Sequence, residues 1–442
     1  MKLDTPDEVR WIARTLEEAG YDTWAVGGAV RDGLRGARTA DWDFATLARP
    51  NQVRRLFRKT VPLGIDHGTV GVLDRKGVMH EVTTFRKDVD TDGRHAVISF
   101  ADRIEDDLAR RDFTINALAW HPLREVLLDP YDGRGDLEAG VLRTVGVPEE
   151  RFAEDYLRVL RALRFAGRFD LRIHPDTWAA LVASAPELVR LSPERIREEL
   201  VKVLGGTAPP SRALALYRAS GATEVVYPEL HALDDALWER TLAVVDALSP
   251  ASEWLRMAAL LAPVGHPDPR ADEPSPDDVR GLRAADPIAA RAVVRAMAVL
   301  SRLRVSNRQL DQVSGWVAEG LEPPVLETGA ERRRWLARVG PERLDGYLRL
   351  WQARHRVDPS LADPAPLARA LREEVAAGPP LKVGDLAVTG RDLIALGHRP
   401  GPWFGEVLEG LLELVLDDPA RNERDELMPI LTERAARAAG SA

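Results

Sequence analysis

The sequence predicts a small α/β domain at the N-terminus, followed by a long part that is entirely helical. Two observations lead to this fold class. Strand-like segments at 23–26, 68–73 and 78–85 alternate with helical patterns in roughly the first third of the chain. From Glu149 onward the apolar spacing is helical almost throughout. Runs of helix-breaking residues then separate the helices, and these breaks are at 205–211, 262–281 and 359–366.

Composition limits the class of protein. The 442 residues are enough for roughly three domains of about 150 residues each. No stretch approaches the ~20 apolar residues of a membrane span, and the acidic amphipathic N-terminus is unlike a signal peptide. We therefore expect a cytoplasmic protein without membrane contact. Because cysteine is absent, any metal must bind to oxygen or imidazole ligands.

The net charge of −9 argues weakly against a nucleic-acid partner, but the charges are unevenly distributed. Between Arg291 and Arg356 there are 13 arginines against seven acidic residues. Between Arg151 and Arg168 there are five arginines against two acidic residues. A basic stripe on an otherwise acidic protein predicts RNA binding that weakens as salt rises.

The densest chemical signal follows the first predicted strand. That strand runs into Gly27-Gly28, and a helix from about Ala29 places bare backbone amides where a phosphate can bind. Asp41 and Asp43 follow on a predicted strand, whose alternation puts both carboxylates on one face. Adjacent carboxylates suit Mg²⁺, which takes one or two of them together with substrate phosphates. Alone, such a pair is more often an exposed strand; the glycine turn upstream favours metal-assisted phosphoryl or nucleotidyl transfer.

A second segment places Arg110 and Arg111 beside Asp112, with Asn116 on the buried turn that follows. Arginine next to a metal-phosphate site neutralises triphosphate charge. A helix start with solvated charges is the alternative interpretation of the same letters.

A third segment carries Asp155 and Arg158 three residues apart on a predicted helix, which continues through Arg161 and Arg164. Residues spaced by three share a helix face. An amphipathic helix with an ordinary salt bridge is the alternative here.

Five motifs in order resemble the class II tRNA nucleotidyltransferases of the polymerase β superfamily, of the bacterial CCA-adding type. They are GGAVRDGLRG with DWDFAT, RRDFTINALA, DPYDGRGDLEAGVLRTV, EDYLRVLRALRF and ERIREEL. The segment 385–417 resembles the C-terminal part of bacterial members. The resemblance implies an α/β head with a small mixed sheet, followed by an elongated all-α neck, body and tail. The implied bounds are 1–143, 144–206, 207–315 and 316–442.

The resemblance also implies a role for each matching residue. Asp41 and Asp43 match the catalytic, metal-binding pair that holds Mg²⁺, and Glu81, on a predicted strand, is a candidate third carboxylate. The implied reaction is template-independent addition of the 3′-terminal CCA to tRNA from CTP and ATP, with the tRNA bound at its 3′ end and its acceptor and T arms. The matching nucleotide-binding residues are Gly28, Arg31, Arg111, Asp155, Arg158, Arg161 and Arg164.

The chemistry of Asp155 and Arg158 explains a choice of C and A without the family. A carboxylate only accepts hydrogen bonds and a guanidinium only donates them. Cytosine and adenine both present an exocyclic amine beside a ring-nitrogen acceptor, so one pair fits either edge. Guanine and uracil would turn a carbonyl toward Asp155 and leave polar groups unpaired, which discriminates strongly.

Other activities fit the same motifs. An A-adding enzyme that acts on tRNA ending in CC is the first alternative. A CC-adding enzyme tends to have a shortened loop between the first two motifs, whereas Lys87–Ala109 has 23 residues. A poly(A) polymerase is expected to read G-R-R/K-F where this chain reads His67-Gly68-Thr69-Val70. A catalytically silent RNA-binding protein is the alternative of a different class, and the intact D-x-D motif argues against it.

Overall fold

The computed structural model describes residues 3–37, 41–91, 96–265, 287–319 and 322–439. The chain divides into two compact units. One comprises Met1–Ala232 with Arg302–Arg304, and the other comprises Leu233–Ser301 with Val305–Ala442. Every strand in the described part of the chain belongs to the first unit, so the predicted succession of an α/β part and an all-helical part is confirmed.

The strands of the first unit agree with the segments predicted from apolar alternation. Their bounds are β1 Thr23–Val26, β2 Asp43–Thr46, β3 Thr60–Gly64, β4 Thr69–Leu73, β5 Met79–Thr84, β6 Arg86–Thr91, β7 Ala96–Phe100, β8 Ala119–His121, β9 Val126–Leu128, β10 Val141–Leu142 and β11 Arg172–Ile173. Seven of them form a mixed sheet in the order β3-β4-β5-β2-β1-β8-β9. Within this sheet β2 and β5 run parallel, which places the sequence-distant β5 beside the strand that follows the D-x-D motif.

Helices follow the sheet strands in the first unit and fill the second. In the first unit they are α1 Asp7–Glu18, α2 Gly28–Leu34, α3 Pro50–Leu56, α4 Ile104–Ala109, α5 Gly133–Glu138, α6 Pro148–Glu154, α7 Leu157–Phe169, α8 Pro175–Ser184, α9 Pro193–Leu204, α10 Pro210–Ala219, α11 Ala222–Val226 and α12 Pro228–His231. Next come α13 Asp235–Ala247, α14 Glu253–Leu261, α15 Pro287–Arg302, α16 Asn307–Ala318, α17 Gly329–Val339, α18 Leu344–Val357, α19 Ala365–Ala376, α20 Gly390–Ala395, α21 Trp403–Asp417 and α22 Arg424–Ala439.

The two faces of the sheet are packed differently. On one face, apolar residues of β1, β2 and β4 form a core with α1 and α3, to which Ala25, Phe44 and Val70 contribute. On the other face, Val26 and Ala45 join a smaller cluster that includes α4. Because strand side chains alternate, Asp43 lies on the same face as Ala45, and this face carries the site.

Some loops differ from the sequence expectation. The segment Lys87–Ala109, expected to be one loop, lies in a β6–β7 hairpin and α4, because alternating side chains of the two strands pair. Its Asp92-Gly93-Arg94-His95 part lies outside the described residues. Of the break at 262–281, residues 262–265 form a buried 3₁₀ turn and the rest falls outside the described residues. Among the helices that the structure describes, none is long and apolar enough to cross a membrane.

The arginine-rich segment between Arg291 and Arg356 is largely neutralised in the structure. Eight of its arginines make ion pairs, several of them with acidic residues far along the chain, such as Glu374 and Glu413. The eight are Arg302, Arg304, Arg332, Arg333, Arg334, Arg338, Arg349 and Arg354. A local count of charges along the sequence therefore overstates how much positive charge this segment offers to a ligand.

Candidate functional site

A cleft of about 620 Å³ lies on the second face of the sheet, within the first unit. The end of β1, the strands β2 and β5, and the helices α7 and α9 contribute to its walls. Of the residues predicted for the site, all but Asp41 line this cleft, and they are Gly28, Arg31, Asp43, Glu81, Arg111, Asp155, Arg158, Arg161 and Arg164. Asp41 lies two residues before Asp43 at the entrance to β2, and it is exposed.

The lining of the cleft is strongly cationic. Nine arginines and Lys202 face five carboxylates, so the lining carries an excess of positive charge although the whole chain is acidic. Such a lining attracts an anion with several charges, such as a nucleoside triphosphate.

The carboxylates collect at one end of the cleft. The register of the parallel pair, with Phe44 opposite Val82, brings Asp43 next to Glu81 on the neighbouring strand. Burial, together with the negative charges of Asp41 and Glu81, raises the pKa of Asp43 to about 7, and the nearby Arg111 opposes this shift. Three carboxylates whose charges repel one another are the donor set that a divalent cation suits. The residues present therefore fit a metal.

This raised pKa predicts how stability varies with pH. The folded protein keeps a proton on Asp43 that the unfolded chain, with a carboxyl pKa of 3.8, has already lost. Stability is therefore lost as pH rises from about 4 through about 7. In EDTA we expect the thermal unfolding midpoint to fall between about pH 5 and pH 8, less so in Asp43→Asn. Adding Mg²⁺ at about pH 8 should raise the midpoint of the wild type and not that of the variant; equal responses would contradict the assignment of Asp43.

The glycine turn allows the backbone to pass close to the arginines. Gly27 has φ +69° and ψ −129°, and α2 begins at Gly28. A Cβ atom on Gly27 would lie 3.0 Å from Nη1 of Arg111, and one on Gly28 would lie 3.5 Å from Nη2 of Arg31. Both guanidinium groups therefore approach the turn where the phosphates are expected to bind.

The Gly27→Ala variant tests this close approach. We expect a loss of about 1–3 kcal/mol in the free energy of unfolding, since alanine is strained at positive φ. We also expect weaker CTP binding, because the new methyl group displaces Arg111. Gly36→Ala is the matched control, since Gly36 has φ +75° and a Cβ there would meet nothing within 4 Å. Denaturant unfolding and CTP titration separate the effects: both variants should lose stability, and only Gly27→Ala should lose affinity for CTP.

A buried hydrogen-bonded chain orients the phosphate-side arginines. Arg31 donates from Nη1 to Oδ1 of Asn116 at 2.6 Å and stacks its guanidinium on the ring of Phe169 at 4.3 Å. Asn116 in turn donates to Asp112 at 3.0 Å, and Arg161 donates to the other oxygen of Asp112 at 2.7 Å. Burial opposes ionisation, but the charge of Arg161 and the hydrogen bonds of Asn116 and Arg161 together lower the pKa of Asp112 to about 2. Asp112 thus stays charged and links α7 to the turn after α4.

Arg111 is held by a separate carboxylate. Its Nη2 donates to Oδ2 of Asp107 at 3.1 Å, one turn earlier on α4, and Arg110 donates to the other oxygen at 3.2 Å. Although burial by itself raises the pKa of Asp107, the charges of Arg111 and Arg110 lower it overall. Asp107 therefore fixes the direction of both arginines.

The expected placement of Asp155 on a helix with Arg158 is wrong. Asp155 follows the end of α6 with extended backbone, φ −158° and ψ 105°, and α7 begins at Leu157. The reason is that the Asp155 carboxylate accepts a hydrogen bond from the amide of Leu157 at 3.0 Å, which ends one helix and begins the next. Both side chains still line the cleft, but Asp155 pairs with Arg195 at 2.7 Å and Arg158 with Glu154.

Arg164 also differs from a simple phosphate ligand. It is buried, and its Nε donates to Glu199 at 2.5 Å. Glu199 and Arg195 both lie on α9 in the ERIREEL motif, yet neither was predicted as a site residue. Their spacing of four residues on one helix face was the available signal. Asp107, four residues before Arg111, was missed although the same spacing indicates it.

A carboxylate and histidine group elsewhere in the described part of the chain is Glu17, Asp22 and His121. Arg124 pairs with Asp22 at 2.7 Å, and Nε1 of Trp24 donates to Asp22 at 2.7 Å. Burial, followed by the charge of Arg124, lowers the pKa of His121. The guanidinium supplies the positive charge here, so these residues serve to join α1 to β8.

Family comparisons agree with the geometry. The Poly A polymerase head domain matches residues 23–143, the Probable RNA and SrmB-binding site of polymerase A matches 170–234, and the putative tRNA nucleotidyltransferase domain 2 matches 369–431. The CCA-adding enzyme of Geobacillus stearothermophilus is 33% identical over 430 residues, which is 97% of this chain and 96% of that protein.

Solved structures share the fold. The crystal structure of the Bacillus stearothermophilus CCA-adding enzyme in complex with CTP has 31% identity and a TM-score of 0.74, covering 98% of both chains. The Thermotoga maritima CCA-adding enzyme complexed with tRNA is alike in fold, with a TM-score of 0.56 at 22% identity over 97% of this chain and 94% of that one. The chain therefore belongs to the CCA-adding enzyme family of tRNA nucleotidyltransferases.

Proposed function

We propose that this enzyme adds the 3′-terminal CCA to tRNA, using CTP and ATP and no nucleic-acid template. The observation that carries the proposal is the cleft, where clustered carboxylates and phosphate-side arginines share one wall system with Asp155 and Arg158. Relatives support it: one was solved with CTP and another with tRNA. We further propose a cytoplasmic location and the head, neck, body and tail bounds given above.

The family implies a divalent metal, and we propose that it is Mg²⁺, held by Asp41 and Asp43 with Glu81 as a candidate third ligand. When bound there, the cation supplies positive charge that stabilises the attacking 3′-oxygen and the leaving pyrophosphate. Arg31 and Arg111 neutralise the triphosphate beside the glycine turn.

The base is proposed to bind between Asp155 and Arg158. The carboxylate accepts a hydrogen bond from the exocyclic amine of cytosine or adenine, and the guanidinium donates to the adjacent ring nitrogen. The pairing of Asp155 with Arg195 leaves this scheme intact, because each carboxylate oxygen has two lone pairs. Arg161 and Arg164 line the same wall, held by Asp112 and Glu199.

Extension of a tRNA that lacks CCA tests the proposal. We expect CTP alone to give two added residues, ATP alone to give none, and both together to give three. Addition of a single A only to a tRNA already ending in CC would replace the proposal by the A-adding alternative. Addition of two C residues with no further A, or of a long A tail, would instead identify a CC-adding enzyme or a poly(A) polymerase.

A further inference from the structure

The outer edge of the sheet carries a surface that the proposed reaction does not use. We call it the β3 edge. It combines four cations from the end of α3 and the turn into β3 with three apolar side chains of β3 and β5. Its members are Arg54, Arg55, Arg58, Lys59, Val61, Leu63 and Met79.

The cations of the β3 edge are not neutralised. No Asp or Glu occurs in the sequence between Asp43 and Asp66, a stretch that contains all four of them. Each of the four side chains is exposed. Within the part of the chain that the structure describes, none of them makes an ion pair or a side-chain hydrogen bond, unlike most arginines between Arg291 and Arg356. The β3 edge therefore offers its positive charge to a ligand.

The apolar members lie side by side on one face. Val61 is 37% exposed, Leu63 is 40% exposed and Met79 is 44% exposed. Glycine at position 71, between them on β4, lets them approach: a Cβ there would lie 2.9 Å from Cδ1 of Leu63 and 3.0 Å from the sulfur of Met79. These side chains thus form a continuous apolar surface over the outer strands.

This surface is continuous with the carboxylates of the cleft. Glu81 lies directly opposite Gly71, and Gly71 directly opposite Val61. Side chains of β5 alternate, so Met79 shares a face with Glu81. Two strand spacings separate Glu81 from Val61, a distance of about 10 Å. A chain whose end lies at Asp43 can therefore continue across this face to the cations.

We propose that the β3 edge binds the unpaired 3′ strand of the RNA substrate, the nucleotides that precede the reacting 3′-hydroxyl. The inference rests on the proposed function. An unpaired strand offers both groups that this surface matches: bases or ribose for Val61, Leu63 and Met79, and phosphates for the four cations. A duplex offers only its phosphates and would leave the apolar side chains without a role.

The Arg58→Ala/Lys59→Ala double variant tests the cationic part. We expect KM for tRNA to rise about tenfold at physiological salt, with kcat and KM for CTP unchanged. The slope of log affinity for tRNA against log salt should become shallower by about 1.4, as for two lost contacts to single-strand phosphates. The matched control is Arg14→Ala/Arg172→Ala, which removes two exposed cations outside the β3 edge and should leave both quantities unchanged.

The Leu63→Ser/Met79→Ser double variant tests the apolar part. It should raise KM for tRNA without changing the salt slope, since no charge is removed. Binding to a tRNA trimmed of its unpaired 3′ nucleotides should be the same for wild type and both variants. If trimmed tRNA still distinguishes them, the surface binds duplex; if full-length tRNA does not, the surface does not bind RNA. Either result overturns the inference. Failure of the proposed function is separate: the wild type would then add no nucleotide, whatever the binding results.

Discussion

Asp41→Ala/Asp43→Ala is expected to lower nucleotide incorporation by about 10³-fold or more. The variant loses both carboxylates that we assign to the cation, whose charge stabilisation in phosphoryl chemistry is worth several kcal/mol. The measurement is single-turnover incorporation of CMP into tRNA lacking CCA, with Mg²⁺ in excess.

The same variant should still bind tRNA, because the proposed RNA contacts lie elsewhere. Its unfolding midpoint without metal should equal or exceed that of the wild type, since a repelling carboxylate cluster has been removed. Asp4→Ala, which removes an exposed carboxylate outside the cleft, is the control and should retain full activity. Retained incorporation by the double variant would show that the metal assignment is wrong.

Asp155→Ala is expected to abolish the preference for C over U. The wild-type carboxylate accepts from the amine of cytosine and repels the carbonyl of uracil, so its loss should reduce the ratio of CMP to UMP incorporation by about 10²-fold. Most of the change should come from slower CMP incorporation, because the hydrogen bond to the amine is lost.

The measurement is single-turnover kinetics with each of the four nucleoside triphosphates. Arg158→Ala should slow CMP and AMP incorporation alike, since the ring nitrogen of both bases needs a donor. Glu150→Ala, an exposed acidic residue on the preceding helix α6, should leave all four rates unchanged. An unchanged C-to-U ratio in Asp155→Ala would place base selection elsewhere in the cleft.

The elements that local pattern defines were predictable in detail. The bounds of β1 agree with the apolar run at Thr23–Val26, and α2 begins within a residue of the expected position. The hairpin of β4 and β5 was visible because alternating side chains flank the turn at Gly77. Each of these signals lies within a few residues, so no knowledge of tertiary contacts is needed to interpret it.

The partners of the site residues were not predictable in the same way. Asp155 was placed on a helix because its spacing from Arg158 is helical, but its side chain caps the next helix and pairs with Arg195, 40 residues later. Similarly, Asp112 and Arg161 form a buried ion pair 49 residues apart. Local spacing contains no information about such pairs, which depend on how the helices pack.

The sequence by itself determined the family, the order of an α/β part and a helical part, and the residue types that the reaction requires. The motifs carry this information because catalysis demands particular groups at short fixed spacings. Only the tertiary structure decided which charges remain available to a ligand. Arginines between Arg291 and Arg356 are mostly neutralised by distant acidic residues, whereas the four cations of the β3 edge are not. The physical reason is that electrostatic interaction depends on distance in space, and the fold sets that distance.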